Sequence, residues 1–285
     1  MLPIIATVAC WPDAAAADWV FDLDAGTIYD SNLSRGYEPA GILSDSALTV
    51  ALSAGQFIAI DDRNSLTLTA NLRAASFQRY HGLGSGALGA TVAYRRKFGL
   101  GMYAPSIRVA ATAARESYRQ SVRDGQSSEL SVSLNKRLSD RLELSGGGFL
   151  ERFNSRNASV VSPERSGNAF DIKGRNLFAR AEYALSDRWL GYAGLNLRRG
   201  GMTASAKADD EIFDISSAVT RDPAFGPDYL AYRLSGETHA GSAGVSVEIN
   251  RRGSLNFGLT REITKATGGL NYRRTLANAT FLFNF

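Results

Sequence analysis

The chain ends on ATFLFNF (residues 279–285), in which Phe281, Phe283 and Phe285 occupy every second position. Successive side chains of a β-strand point to opposite faces of the sheet, so the three aromatic rings share one face. The last residues of a soluble domain usually fray. This segment instead predicts a terminal strand with one strongly apolar face.

The same alternation extends back along the chain to Trp19. In SLTLTANLRA, for example, Leu66 and Leu68 alternate with Thr67 and Thr69. About a dozen segments show this two-residue period, and none shows the period of an amphipathic helix. The pattern predicts an all-β chain whose strands have two different faces.

The connections between these segments alternate in length. The short turns lie at 61–64, 96–99, 139–141, 186–188 and 251–253, and the longer connections at 31–43, 79–85, 119–126, 155–169, 200–236 and 265–271. The Asp, Asn, Ser and Gly residues of the short turns favour tight hairpins, which would all fall at one end of the sheet. This asymmetry predicts a single antiparallel transmembrane β-barrel of about 12 strands, with short periplasmic turns and long extracellular loops.

A water-soluble β-sandwich or a lipocalin-like barrel is the alternative interpretation of the alternation. Two features favour the membrane barrel. The polar faces carry isolated Arg and Glu instead of a Lys-rich surface, and aromatic residues lie towards the strand ends, as an interfacial girdle requires. These aromatic residues are Trp19, Tyr29, Tyr94, Tyr183 and Trp189.

Composition excludes two other classes of protein. The chain is 44% hydrophobic with a mean hydropathy of -0.15, and no segment approaches the ~20 consecutive apolar residues of a membrane-spanning helix. The net charge of +4 comes from scattered residues without a basic run. Nucleic acid is therefore not an expected partner.

The first 17 residues combine a short apolar segment with the small-residue run at 14–17. They predict a signal peptide over residues 1–17, followed by one barrel domain over residues 18–285. No Lys or Arg precedes residue 35, so the basic start of such a peptide is missing, which indicates a truncated peptide or a misplaced start. Acylation of Cys10 is the alternative, although Thr7 stands where a lipoprotein signal prefers Leu.

The terminal TFLFNF resembles the last strand of Gram-negative outer-membrane proteins, in which a terminal Phe and alternating aromatics form a signal for the barrel-assembly machinery. The resemblance implies a bacterial outer-membrane location, with outer-membrane lipid and lipopolysaccharide as surroundings and the assembly machinery as a partner during biogenesis. It assigns Phe281, Phe283 and Phe285 to the assembly signal. No other protein partner is implied.

A second resemblance lies in YDSNLSRG (29–36) and LNYRRTLANATFLFNF (270–285), which are similar to the first and last strands of surface lipoprotein assembly modifiers. The match covers about a tenth of the chain. It implies a barrel for the export or assembly of surface molecules. The chain differs from that family in lacking a helical repeat domain and in having fewer strands, and no functional residues can be carried over.

If the apolar faces point outward, charged residues of both signs line the lumen. They are Asp22, Asp24, Arg73, Arg95, Arg108, Glu116, Arg137, Glu143, Arg180, Glu182, Arg198, Glu248 and Glu262. Such a lining either surrounds a conducting path or pairs into a network that fills the barrel. We expect a small-solute pore with a mixed Arg/Glu lumen, and an export barrel is the alternative.

The 200–236 segment is the longest predicted loop, and it combines an acidic cluster with an apolar half. The acids lack the spacing of a calcium loop. The apolar half predicts that the loop packs against the barrel as a constriction or plug.

An outer-membrane hydrolase is the less favoured alternative. It would use His239 with Ser235 or Ser242 at the loop end, and His81 is the other histidine of the chain. None of these residues stands in a recognisable catalytic motif, and we find no metal-ligand cluster or phosphate-binding loop. The sequence therefore predicts no enzyme activity, no cofactor and no metal.

Overall fold

The computed structural model describes residues 18–157, 161, 165 and 167–284. The predictions made for residues 1–17, including the signal peptide and Cys10, and for Phe285 lie outside the described residues. Within the described ranges, no helix is long and apolar enough to span a membrane.

Most of the described residues belong to β-strands. The strands are β1 (Asp18–Asp30), β2 (Asp45–Ala59), β3 (Asn64–Phe77), β4 (Ser85–Lys97), β5 (Ser106–Tyr118), β6 (Gly125–Arg137), β7 (Leu142–Ser155), β8 (Ile172–Ala184), β9 (Trp189–Lys207), β10 (Ala218–Arg221), β11 (Tyr229–Asn250), β12 (Gly253–Ala266) and β13 (Asn271–Asn284). One short helix, α1 (Asp210–Ile215), precedes β10.

Twelve of the described strands form a closed antiparallel ring. The ring closes where β13 pairs with β1, and β9 pairs directly with β11. The short β10 lies outside the ring and pairs with the part of β11 that extends past β12. A closed ring pairs every strand on both edges, which satisfies the backbone polar groups as a bilayer requires. The predicted barrel of about 12 strands is confirmed.

The outer face of the ring carries an apolar belt. Leu195, Leu177 and Leu48 are 71%, 63% and 63% exposed. Large aliphatic side chains continue around the ring through cross-strand partners such as Leu177 and Leu197. A continuous belt of this kind would be unfavourable in water, whereas lipid acyl chains can cover it. It is the surface that a membrane-spanning barrel presents to lipid.

Exposed aromatic side chains mark the turn end of the belt. Trp19 is 74% exposed at the start of β1, and Tyr183 and Trp189 flank the 185–188 turn at 45% and 46% exposure. Amphipathic rings of this type favour the boundary between lipid and water. The turn end therefore lies at one surface of the membrane.

Asp61 shapes the tight turn between β2 and β3. The Asn64 side-chain amide donates to its carboxylate at 2.7 and 2.8 Å, and the Arg63 backbone N–H donates at 2.8 Å. These bonds, led by the one from the Asn64 amide, lower the pKa of Asp61 from its ordinary value. This is the hairpin chemistry that the DDRN segment predicts.

The predicted 200–236 loop is wrong in its bounds. Residues 200–207 belong to β9 and residues 229–236 to β11, because the ladder between these strands continues to the pair of Lys207 with Tyr229. The glycines at 200 and 201 resemble a loop in sequence. In the barrel, a side chain at position 200 would collide with the backbone carbonyl of Lys173, so glycine permits a close strand approach there.

The most tightly packed residues lie at the loop end. They are Leu83, Ala169, Phe170, Met202, Ala204, Ile212, Val219, Ala224, Phe225, Ala231, Tyr232, Leu234, Leu270 and Tyr272. In the middle of the barrel, most inner-face residues are small and only partly buried. The apolar core therefore lies at one end of the ring instead of filling it.

Candidate functional site

The strand register decides which predicted residues share a face. Asp24 lies opposite Ala51, and Ala51 lies opposite Arg73. Ala87 then links Arg73 to Glu116. Repeating this step around the ring puts all the predicted lumen residues on the inner face, opposite the apolar belt. They are Asp22, Asp24, Arg73, Arg95, Arg108, Glu116, Arg137, Glu143, Arg180, Glu182, Arg198, Glu248 and Glu262.

Arg180 belongs to a fixed cluster on the inner face. Its Nε lies 2.7 Å from Glu182 Oε1, and its guanidinium carbon lies 4.0 Å from the centre of the Tyr192 ring. The Tyr192 hydroxyl donates to Asn256 at 3.3 Å. An arginine that is held by a carboxylate and an aromatic face has little capacity left for a passing anion. Arg180 therefore acts as part of the wall.

Two further ion-pair groups lie nearer the loop end. Arg198 Nε lies 2.6 Å from Glu151 Oε1. Arg274 Nε donates to Asp30 Oδ1 at 2.9 Å across the closing seam between β1 and β13. Arg274 also lies 3.5 Å from Glu262. These groups tie neighbouring strands together around the inner wall.

Sequence reasoning missed the roles of Asp30 and Arg274. Both stand at inner-face positions of the alternation in their strands, since Asp30 follows Asp22 and Asp24 with even spacing. Continuing the inner-face alternation of each strand by a few residues towards the loop end would have placed both residues on the inner face. Their direct contact depends on the closing of the ring, which a local pattern does not show.

Other inner-face charges are less restrained. Within the described residues, no hydrogen bond or ion pair involves the side chains of Asp22, Asp24, Arg108, Glu143 and Glu248. Arg95 donates to the Ser106 hydroxyl at 3.3 Å, and Arg137 donates to carbonyl oxygens of the 138–141 turn. Arg73 and Glu116 form a loose pair at 4.0 Å.

Among the less restrained charges, Glu248 and Arg95 face each other across the barrel, whereas the acids Glu143 on β7 and Glu116 on β5 lie on the same side as the arginines. The acids Asp22 and Asp24 lie on β1 and Glu248 lies on β11, whereas Arg95 and Arg108 lie on β4 and β5. In a ring of twelve strands, β11 stands six strands from β4 in either direction, so Glu248 and Arg95 lie on facing parts of the wall. Opposite charges on facing walls create a transverse electric field in the space between them.

A neutral polar track also lies on the inner face. Ser53 donates to Asn71 Oδ1 at 3.0 Å, and Asn71 Nδ2 donates to the Thr91 hydroxyl at 2.9 Å. The Thr91 and Thr112 hydroxyls are 2.9 Å apart. The track crosses four neighbouring strands, from β2 to β5. Hydroxyl and amide groups of this type can exchange hydrogen bonds with water or with a polar solute.

The 208–228 segment, which we call the mouth segment, crosses the loop end of the ring. It leaves β9 and returns through β11, yet Asp222 contacts Arg123, which follows β5. Arg123 Nη2 lies 2.6 Å from Asp222 Oδ2, and Arg123 Nε lies 3.1 Å from Oδ1. The Ser205 hydroxyl donates to Asp222 Oδ2 at 2.6 Å. Asp222 is fully buried, so this bidentate pair anchors the mouth segment on a distant part of the ring.

Apolar contacts extend the anchor. The Phe225 ring centre lies 5.1 Å from that of Tyr80, in the connection between β3 and β4. At Gly82 in the same connection, a Cβ atom would lie only 2.8 Å from the Ala224 Cα. Glycine therefore allows the two backbones to touch.

The connection between β1 and β2 covers the mouth from another side. The Ser34 carbonyl accepts a hydrogen bond from the Ser205 backbone N–H at 2.8 Å. The Tyr37 hydroxyl donates to Asp209 at 3.1 Å, and burial together with this bond raises the pKa of Tyr37 to about 12. Asp209 also caps α1 by accepting from the Ile212 backbone N–H at 3.0 Å. The predicted packing of this loop against the barrel is thus observed, and two connections take part in it.

Two acids of the mouth segment serve these structural contacts. Asp209 caps α1, and Asp222 pairs with Arg123. Among the described residues, no group of three or more His, Cys, Asp or Glu side chains is arranged to hold a metal ion.

The residues considered for a hydrolase lie apart. His239 is on the outer face, with Nε2 2.8 Å from Glu237 Oε1. Ser242 is on the inner face, and Ser235 lies four residues from His239 on the outer face, about 13 Å away at the usual strand rise. His81 Nδ1 is bonded to a backbone carbonyl oxygen at 2.8 Å. In this arrangement neither histidine can activate either serine.

The two described terminal aromatics lie on the outer face of β13. Phe283 stands opposite Leu23 and Phe281 opposite Ala25 in the seam with β1. Their ring centres are 6.2 Å apart in a stacked arrangement.

Comparison with solved structures identifies the architecture. The chain resembles the crystal structure of an outer membrane channel from Pseudomonas putida F1, with a TM-score of 0.61 and 10% sequence identity over 95% of this chain and 97% of that chain. It also resembles the NanC porin (TM-score 0.48, 9% identity, 92% of this chain and 98% of that chain) and the CymD monoaromatic hydrocarbon channel (TM-score 0.48, 9% identity, 95% and 89%). Of these three, only the Pseudomonas putida channel has a TM-score above 0.5, and its similarity supports the fold alone.

Searches against family models and against curated proteins found no match. The resemblance to surface lipoprotein assembly modifiers therefore stays a prediction. The closed ring, the apolar belt and the likeness to the Pseudomonas putida channel together identify the fold as that of an outer-membrane β-barrel.

Proposed function

We propose that this barrel is a small-solute pore of the bacterial outer membrane. The observation that carries the proposal is the set of inner-face charges that have no hydrogen bond or ion pair among the described residues. A structural network would pair its charges, because an unpaired charge inside a protein is costly unless water reaches it. Asp22, Asp24 and Arg108 without partners instead indicate a hydrated interior.

The facing charges suggest the kind of solute. A transverse field favours small molecules that carry both a positive and a negative group, because such molecules can align between the two walls. The hydroxyl track from Ser53 to Thr112 offers hydrogen bonds along the way. The mouth segment packs across the loop end, and we propose that passage requires that segment to move.

Planar-bilayer recordings on the purified barrel test the proposal. We expect discrete openings, and the double variant Arg95→Glu/Arg108→Glu should shift the reversal potential towards cation preference under a salt gradient. Arg115→Glu is the matched control, because Arg115 lies on the outer face of the same strand as Arg108. A barrel without conductance, even when the mouth segment is removed, would contradict the pore function.

For biogenesis, we propose that Phe281 and Phe283, with Phe285, form the assembly signal. Their outward position on β13 supports this role for the two described residues, because an inserting machine meets the outer face of the last strand first. A chain with Phe281→Ser/Phe283→Ser should fold in detergent but accumulate in the periplasm, as measured by membrane fractionation.

A further inference from the structure

A group of basic side chains lies on the outer face of three neighbouring strands, just beyond the apolar belt. We call it the basic band, and it consists of Arg152 on β7, Lys173 and Arg175 on β8, and Arg199 on β9. All four residues are exposed. They lie towards the loop end of their strands, on the same face as the belt.

The band contains two like-charged cross-strand pairs. Arg152 stands directly opposite Lys173, and Arg175 stands directly opposite Arg199. Directly opposed side chains in a sheet have their Cβ atoms about 4.5–5.5 Å apart, and like charges in these positions destabilise the sheet. A negative charge near these two pairs would therefore stabilise this part of the sheet.

The protein supplies only part of that counter-charge. Arg199 Nε lies 2.5 Å from Glu237 Oε2, and Arg152 donates to the neutral amide of Asn154 at 2.8 Å. Within the described part of the chain, the side chains of Lys173 and Arg175 have no hydrogen bond or ion pair. The centre of the band is thus free to bind an anion from outside.

Apolar side chains adjoin the band on its membrane side. Leu150 lies two residues below Arg152 and directly opposite Arg175, and it is 58% exposed. Leu177 lies two residues below Arg175 and is 63% exposed. A molecule that covers both surfaces needs an acyl region and, about 7 Å further along the strand, an anionic region.

The two ends of the barrel differ in how their outer-face cations are arranged, because Arg96 and Lys136 at the turn end stand opposite no other cation. The turn end of the outer face is marked by Trp19, Tyr183 and Trp189, which suit a neutral or mixed interface. The loop end carries the basic band. The opposed cation pairs therefore distinguish the loop end from the turn end.

We propose that the basic band binds the phosphate groups of lipid A, the membrane anchor of lipopolysaccharide, while the acyl chains lie on the leucines below. Lipid A carries two phosphates on one rigid disaccharide. The two phosphates of such a head group can contact both like-charged pairs at once, whereas a phospholipid has a single phosphate. Arg and Lys side chains bind phosphate through charge-assisted hydrogen bonds.

The proposal is tested on the full chain purified in detergent, with native mass spectrometry and titration of bisphosphorylated lipid A. The double variant Lys173→Gln/Arg175→Gln should bind at least tenfold more weakly than the wild type. The matched control is Arg96→Gln/Lys136→Gln, which removes two positive charges from the outer face at the turn end. The control should bind as the wild type does.

Three results would overturn the proposal: equal binding by the band variant, equal binding of dephosphorylated lipid A to the wild type, or equally strong competition by phosphatidylglycerol or inorganic phosphate. The comparison of the phosphorylated and dephosphorylated lipids needs no variant, so it decides the question even if the double variant does not fold. The measurement is also independent of pore function, because a barrel without conductance can still bind lipid A.

Discussion

Asp222 shows how a single residue can hold the mouth of the barrel. It is fully buried and accepts from Arg123 and Ser205. Removing one partner of a buried ion pair costs roughly 3–5 kcal/mol, because the remaining charge loses its counter-charge. This cost falls on the packing of the mouth segment, while the ladder hydrogen bonds of the ring stay intact.

We therefore predict that Asp222→Ala releases the mouth segment without unfolding the barrel. Limited proteolysis should cut the 208–228 region at least tenfold faster, while the heat-dependent gel shift of the folded barrel is retained. Asp228→Ala is the control, because Asp228 is exposed in the same segment. Equal cleavage rates in the two variants would show that the ion pair does not anchor the segment.

Two arginine side chains of the inner face, Arg108 and Arg180, differ in their role. Arg108 and Arg180 both alternate onto the inner face, and sequence reasoning treats them alike. In the barrel, Arg180 is held by Glu182 and Tyr192, whereas Arg108 has no such partner among the described residues. The period of a strand indicates the face of a residue, but the partners depend on neighbours that the ring brings together.

At the scale of the element, adjacent residues of β9 lie in two environments, the apolar belt and the polar inner face. Leu195 is 71% exposed in the apolar belt, and Asn196 is on the inner face. Leu195→Arg should lower the free energy of unfolding by about 2–4 kcal/mol, because it places a cation in the hydrocarbon region. Asn196→Arg should change it by less than half as much, since the inner face is polar.

Equilibrium urea unfolding of the two variants in lipid bilayers measures this difference. The substitutions are adjacent and introduce the same side chain, so each is the control for the other. A larger loss for Asn196→Arg would mean that the assignment of the two faces is reversed.

The strands themselves were predictable from sequence, because each has a side facing lipid and a side facing a polar interior. The alternation of Leu66 and Leu68 with Thr67 and Thr69 reflects the difference between the lipid-facing and the interior-facing sides. The loop-end parts of β9 and β11 were not predicted as strands. They extend past the apolar belt, where neither face of a strand has to be apolar. Helix α1 was missed although Asp209 and the acidic residues after it form a helix-start signal.

At the scale of the whole molecule, the mouth segment lies across the loop end of the barrel. Lys207 and Tyr229 are directly paired, so a short turn can join them when the residues between are removed. We predict that replacing 208–228 by a two-residue Asn-Gly turn gives a barrel with long-lived openings and a higher mean conductance.

Single-channel recordings of this deletion, compared with the wild type at equal protein density, check the prediction. The control is a variant that shortens 98–105, which connects strands at the turn end and leaves the mouth unchanged. An unchanged open fraction after removal of the mouth segment would show that another part of the molecule limits passage.

The contacts that close the mouth come from both ends of the chain, and this has a consequence for the order of assembly. Tyr272 on β13 packs in the same apolar cluster as Tyr232 on β11, with Tyr37 of the first connection against it. Asn32 donates to the Arg273 carbonyl across the seam. These contacts cannot form until the last strand has paired with the first. We therefore expect the contacts of Asn32 and Tyr37 to be completed only after the ring has closed.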